Sequence, residues 1–130
     1  MFTLGQIKEA HAKVKSGADF PKYIQEIAQL GVLSYTSYVS DGHSEFIGEE
    51  SQTAISEPKY GALTIAEESN ETLFKQYLKA HQQGQSNYQT FCQQAAETGA
   101  KKWIVDISKM TCTYYDKSGK EMLVEVIPGV

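Results

Sequence analysis

His43 and Glu45 stand two residues apart in a segment of alternating pattern, and Asp106 and Glu125 recur in two later segments of the same kind. On a β-strand, residues two apart point to the same side, so such groups can share one surface of a sheet. Carboxylates beside a histidine could bind a divalent metal, or act as general acid and base if their surroundings move their pKa values apart. If Tyr35, Trp103 and Val105 point into the core, the opposite face presents Thr36, Tyr38, His43, Glu45, Ile104, Asp106, Leu123 and Glu125, with Thr113 and Tyr115 if their strand is phased likewise. Within that face His43, Glu45, Asp106, Tyr115 and Glu125 are the candidate ligand-binding residues. The wet face of any antiparallel sheet alternates in the same way, so no residue is assigned as catalytic or as a metal ligand.

The other chemically capable side chains fare less well. His11 and His81 fall on helical stripes without a partner four residues on, so a packed histidine with one satisfied nitrogen is the expected state of each. Cys92 follows Phe91 on an apolar stripe, and Cys112 lies too far off in sequence to suggest a zinc knuckle or a redox dithiol. Both read as small hydrophobes or as one disulfide. No glycine pair follows a strand at the spacing of a phosphate-binding loop, and no cofactor is expected.

The elements that must position these residues can be read from periodicity. Thr3 with Gln6 forms a capping-box start, and Ile7, Ala10, His11 and Val14 recur at helical spacing up to Ser16 and Gly17. A second helix opens at Asp19 with Pro21 in its first turn, carries Phe20, Tyr23, Ile24, Ile27 and Leu30, and stops at Gly31. The period then drops to two over 32–40, Asp41 and Gly42 signal a hairpin, and a strand follows over 43–48. Residues 49–69 are weakly patterned, with a short strand expected at 62–65. A third helix carries Leu73, Phe74, Tyr77, Leu78 and His81 to Gly84, and a capping box of Ser86 and Gln89 opens a fourth that ends at Gly99. Strands are expected at 102–107, 111–116 and 121–127.

The order of elements restarts because the sequence does. Residues 19–35 and 87–103 follow one pattern at a constant offset of 68, which sets Tyr23 on Phe91, Gly31 on Gly99 and Tyr35 on Trp103. Helices that bury one stripe and strands that bury one face predict an α+β two-layer sandwich, with two helix pairs on one face of a largely antiparallel sheet. The halves span about 3–48 and 70–127 of a single domain covering 1–130, joined by 49–69. The alternative is two sheets in one chain that dimerise through their edges.

Charge limits the partners. All twelve basic residues are lysines, against sixteen carboxylates and a net charge of −4. Without arginine the chain lacks the planar fork that grips phosphate and guanine edges, so no nucleic acid is expected. No apolar run suits a signal peptide or reaches the ~20 residues of a membrane span, which predicts a cytoplasmic protein with no membrane partner.

The second half, from Tyr88 through Phe91, Cys92, Gly99, Lys102, Trp103, Asp106, Tyr114, Tyr115, Asp116 and Gly119 to Pro128, resembles the YdfO-like family. These are small bacterial proteins of uncharacterised role, some of them prophage-encoded and labelled phage envelope proteins. The similarity extends through Phe20, Tyr23, Gly31 and Tyr35 over nearly the whole chain. It implies an α+β domain and no particular reaction, cofactor or catalytic residue. Two functions are therefore carried forward. The favoured one is a non-catalytic interaction module that meets a protein partner or its own copy through the open sheet face or an edge. The alternative is a small metal-dependent or acid–base enzyme built on that face, which requires His43, Asp106 and Glu125 to converge.

Overall fold

The computed structural model describes residues 2–15 and 19–128. Its elements run α1 (Leu4–His11), α2 (Phe20–Leu30), β1 (Val32–Tyr38), β2 (Ser44–Gly48), β3 (Thr53–Ile55), α3 (Glu71–Gln82), α4 (Tyr88–Glu97), β4 (Ala100–Asp106), β5 (Thr111–Asp116) and β6 (Glu121–Val126). The Thr3 hydroxyl accepts from the Gln6 N–H while the Gln6 side chain accepts from the Thr3 N–H, closing the capping box that starts α1. That helix stops at His11, earlier than its stripe suggests, and the expected terminus at Ser16 and Gly17 lies outside the described residues. Helix α4 is capped by Asn87, whose side chain accepts from the Thr90 N–H at 2.7 Å, and not by Ser86. Asparagine one residue later reaches the same orphan amides, which leaves the Ser86 hydroxyl to meet His81 Nδ1 at 3.4 Å.

The six strands form one antiparallel sheet in the order β3-β2-β1-β4-β5-β6. A single sheet replaces the two-sheet alternative. The short strand expected at 62–65 does not form. Pro58 and Gly61 leave that stretch irregular, and the segment instead hangs on β-hairpin backbone, with the Leu63 N–H donating to the Ser40 carbonyl. The strand of the joining segment is β3, which pairs with β2 as Ile47 with Thr53 and Glu45 with Ile55.

The hairpins β1–β2 and β4–β5 share a register. Val32 pairs with Gly48 and Ala100 with Asp116; Tyr35 pairs with Phe46 and Trp103 with Tyr114; each hairpin carries a shift in register between the first pair and the next. A left-handed glycine follows each preceding helix, Gly31 at φ +106° as the C-cap of α2 and Gly99 at φ +89° one residue beyond the Thr98 C-cap of α4, a backbone that glycine adopts without a Cβ clash. Strands β1 and β4 also show the same alternation of burial along their seven residues.

One core fills the space between the helices and one face of the sheet. From the sheet it takes Tyr35, Phe46, Trp103, Val105, Cys112 and Tyr114, and from the helices Ile24, Ile27, Phe74, Phe91, Cys92 and Ala95. Trp103 lies 5.9 Å from both Phe91 and Tyr114, ring centre to centre, and Phe74 stands edge-on to Tyr114 at 5.0 Å. Ser37 and Ser44 are polar residues buried on this face, and they satisfy each other across the hairpin at 2.8 Å.

Candidate functional site

Among the described residues no helix covers the other face of the sheet, and the strand registers lay its residues out in rows. The central row runs Ile55, Glu45, Thr36, Ile104, Thr113, Val124, because each residue is the cross-strand partner of the next. Below it, Thr53, Ile47, Ser34, Asp106, Thr111 and Val126 form a second row, and above it Tyr38, Lys102, Tyr115 and Glu121 form a third. Of the large apolar residues that stand exposed, Ile47, Ile55, Val124 and Val126 belong to these rows, while Leu33 sits at the register shift between Val32 and Ser34.

His43 sits at the β1–β2 turn. Its ring stacks on Tyr38, centre to centre 4.5 Å and 8° from parallel, and its Nδ1 lies 2.5 Å from Asp41 Oδ1. The His43 N–H donates to that same oxygen, and this bond, with the ring contact, holds the Asp41 carboxyl below its ordinary range. The Tyr38 hydroxyl reaches Glu45 Oε2 at 3.4 Å, and partial burial with the nearby carboxylate pushes its pKa up. These contacts tie a hairpin turn together. Asp106 does similar work at the next turn, accepting from the Ser108 hydroxyl at 2.7 Å and the Lys109 N–H at 3.2 Å, which lowers its pKa. Tyr115 lies on the open face under the Lys102 ammonium, 5.7 Å from its ring centre.

Glu125 and Leu123 are not on this face. Tyr115 pairs with Glu121 but Tyr114 pairs with Leu123, so β6 carries an extra residue, Met122, that reverses the phase of everything after it. Leu123 therefore packs against the core and Glu125 faces the helices, accepting from Gln82 Nε2 at 3.0 Å. The expected set is divided further along the sheet. Tyr38, next to His43, pairs with Lys102, while Asp106 lies four residues further along β4, which is about 13 Å at the rise of a strand. Glu45 and Asp106 are separated by the width of two strand spacings and by one row, more than about 10 Å. Among the described residues no three His, Cys, Asp or Glu side chains gather as metal ligands would. The convergence that acid–base or metal chemistry needs is missing from the five named residues.

The remaining reactive groups are structural. His81 is half-buried and stacks on Phe91 at 4.7 Å, and burial lowers its pKa. His11 is more exposed than its helical stripe predicts and meets only the edge of Tyr23, at 5.3 Å. Cys92 and Cys112 are both buried and free, so the disulfide alternative does not hold. Burial pushes the Cys112 thiol up to about 12 and raises that of Cys92 as well.

What the sequence reading missed on the open face is Ile55, Val124 and Val126. Ile55 lay in a segment whose expected strand was at 62–65, and the register shift at Met122 turned Val124 and Val126 outward in place of Leu123 and Glu125. The family model described as Protein of unknown function (DUF1398) matches residues 8–126. No curated protein matches the chain.

Proposed function

The chain belongs to the DUF1398 family of proteins of unknown function, and from that premise we propose that it is a non-catalytic interaction module whose uncovered sheet face is the binding surface. The observation that carries this reading is the presence of Ile47, Ile55, Val124 and Val126 on one face, where each is more than two-fifths exposed. Single exposed apolar residues are ordinary on a soluble protein; here Ile47 and Ile55 on β2 and β3 and Val124 and Val126 on β6 flank Ile104 across an unpartnered sheet face, and apolar groups gathered on one open face are the usual mark of an interface. Polar residues between them, from Thr36 to Tyr115, give the mixture of apolar and hydrogen-bonding groups that protein interfaces use.

Two finer readings accompany it. The shared register of the two hairpins and the paired glycine caps support an internal duplication, with halves about 3–48 and 70–127. The order Gly99, Lys102, Trp103, Asp106, Tyr114, Tyr115, Asp116 supports the YdfO-like, prophage-associated branch. Among the described residues no helix is long and apolar enough to cross a membrane.

The test of the face is direct. At high dilution, an environment-sensitive apolar dye should bind the folded protein, and the double variant Ile47→Lys/Val124→Lys should fold equally well by circular dichroism yet lose most of that fluorescence. Dye binding that survives both substitutions would place the apolar surface elsewhere and end this reading.

A further inference from the structure

We infer that the occupant of the open face is a second copy of this chain, packed face to face about a twofold axis that runs across the strands near Ile104. The inference rests on the reading of the face as an interaction surface and specifies its partner. On β4 the residues of that face are Lys102, Ile104 and Asp106 in order: a cation, an apolar group and an anion. Two-residue steps space them by about 6.6 Å. Turning a copy over about an axis perpendicular to the strands lays β4 on β4 in the opposite direction. Ile104 then meets the partner's Ile104, and Lys102 meets the partner's Asp106 on both sides of the axis.

The rows agree with the same operation. It brings the row of Tyr38, Lys102 and Tyr115 over the row of Ser34, Asp106 and Thr111, so that each large ring faces a small hydroxyl residue. An axis parallel to the strands leaves Lys102 and Asp106 without opposite charges: along β4 it sets each over its own copy, and midway between β1 and β4 it sets them over β1, whose open-face residues are Ser34, Thr36 and Tyr38. The charge pattern therefore selects one dimer, and aligned sheets packed about 10 Å apart are the common form of such contacts. Glu45 is its one like-charge encounter, in the row that meets itself. The rotation of about 30° between packed sheets carries the two copies of Glu45 about 5 Å past each other, which softens the repulsion and leaves it as a brake on affinity.

Sedimentation velocity from micromolar to millimolar concentration tests the dimer, with thermal unfolding run on each variant to confirm the fold. The wild-type chain should pass from monomer to dimer over that range, and Ile104→Glu should stay a monomer. Lys102→Glu sets two carboxylates together twice and should raise the dissociation constant about tenfold or more. Asp106→Lys should do the same, and the double variant Lys102→Glu/Asp106→Lys should return to near the wild-type value, a rescue that only a self-complementary interface gives. Glu45→Gln should tighten the dimer. A wild-type monomer, or a dimer indifferent to Ile104→Glu and to the charge exchange, overturns the inference. The dye experiment on the diluted protein is independent of both, so a monomer that binds dye through Ile47 and Val124 would lose the second copy and keep the face.

Discussion

Gly31 and Gly99 hold the same left-handed backbone, φ +106° and +89°, yet a methyl group would meet nothing within 4 Å at the first and the Ser69 Cα at 2.8 Å at the second. The backbone of the two glycines is alike; what lies over them is not. Gly31→Ala should therefore cost only the left-handed strain of a non-glycine residue, about 1–2 kcal/mol. Gly99→Ala adds a collision with the Glu68–Ser69 backbone and should cost more. Urea unfolding of the two variants gives the comparison, and equal losses would mean that the segment over α4 yields freely.

Trp103→Ala should destabilise the fold by about 3–5 kcal/mol, because it removes a ring packed among Tyr88, Phe91 and Tyr114 and leaves a cavity between β4 and α4. Chemical denaturation followed by circular dichroism measures this without relying on the lost fluorophore. A loss below about 1 kcal/mol would show that the layer collapses around the gap.

Acid should weaken the fold through His81. Burial lowers its folded-state pKa below the ordinary 6.5. Its contribution is thus complete above the unfolded pKa and is lost as pH falls through that value towards the folded one, where the unfolded chain takes up a proton that the folded chain refuses. Unfolding free energy should drop between about pH 7.5 and pH 5.5, and His81→Leu should flatten part of that drop. An unchanged slope in the variant would assign the acid sensitivity to other groups.

Neither thiol should react while the protein is folded. Cys92 and Cys112 are buried and free, and burial disfavours the thiolate of each. A chromogenic disulfide reagent at neutral pH should label both cysteines only in denaturant. Rapid labelling of the native protein at either position would show that the helix layer opens readily.

Much of this architecture was legible in the sequence. The stripe from Tyr23 to Leu30, the glycine stops and the offset of 68 located α2, α4, β1 and β4, and the hairpin signal at Asp41 and Gly42 joined β1 to β2. Element ends were less legible because caps compete locally: Asn87 displaced Ser86 by one residue. The candidate site suffered most, since face assignment on a strand depends on strict alternation. One inserted residue at Met122 moved Glu125 from the open face to the helix side, and nothing in the residue types of β6 marks that insertion. Ile55 was lost for a different reason, because a three-residue edge strand is too short to show a period.

The central claim is that the sheet face holding Ile104 is an interface, and methyl NMR across a concentration series tests it most directly. From micromolar to millimolar protein, the methyl resonances of Ile47, Ile55, Ile104 and Val124 should shift together along one binding curve, while those of Ile24, Ile27 and Val105 under the helices stay fixed. Open-face methyls that hold their positions over the whole range, or shifts centred on the helix layer instead, would contradict the account.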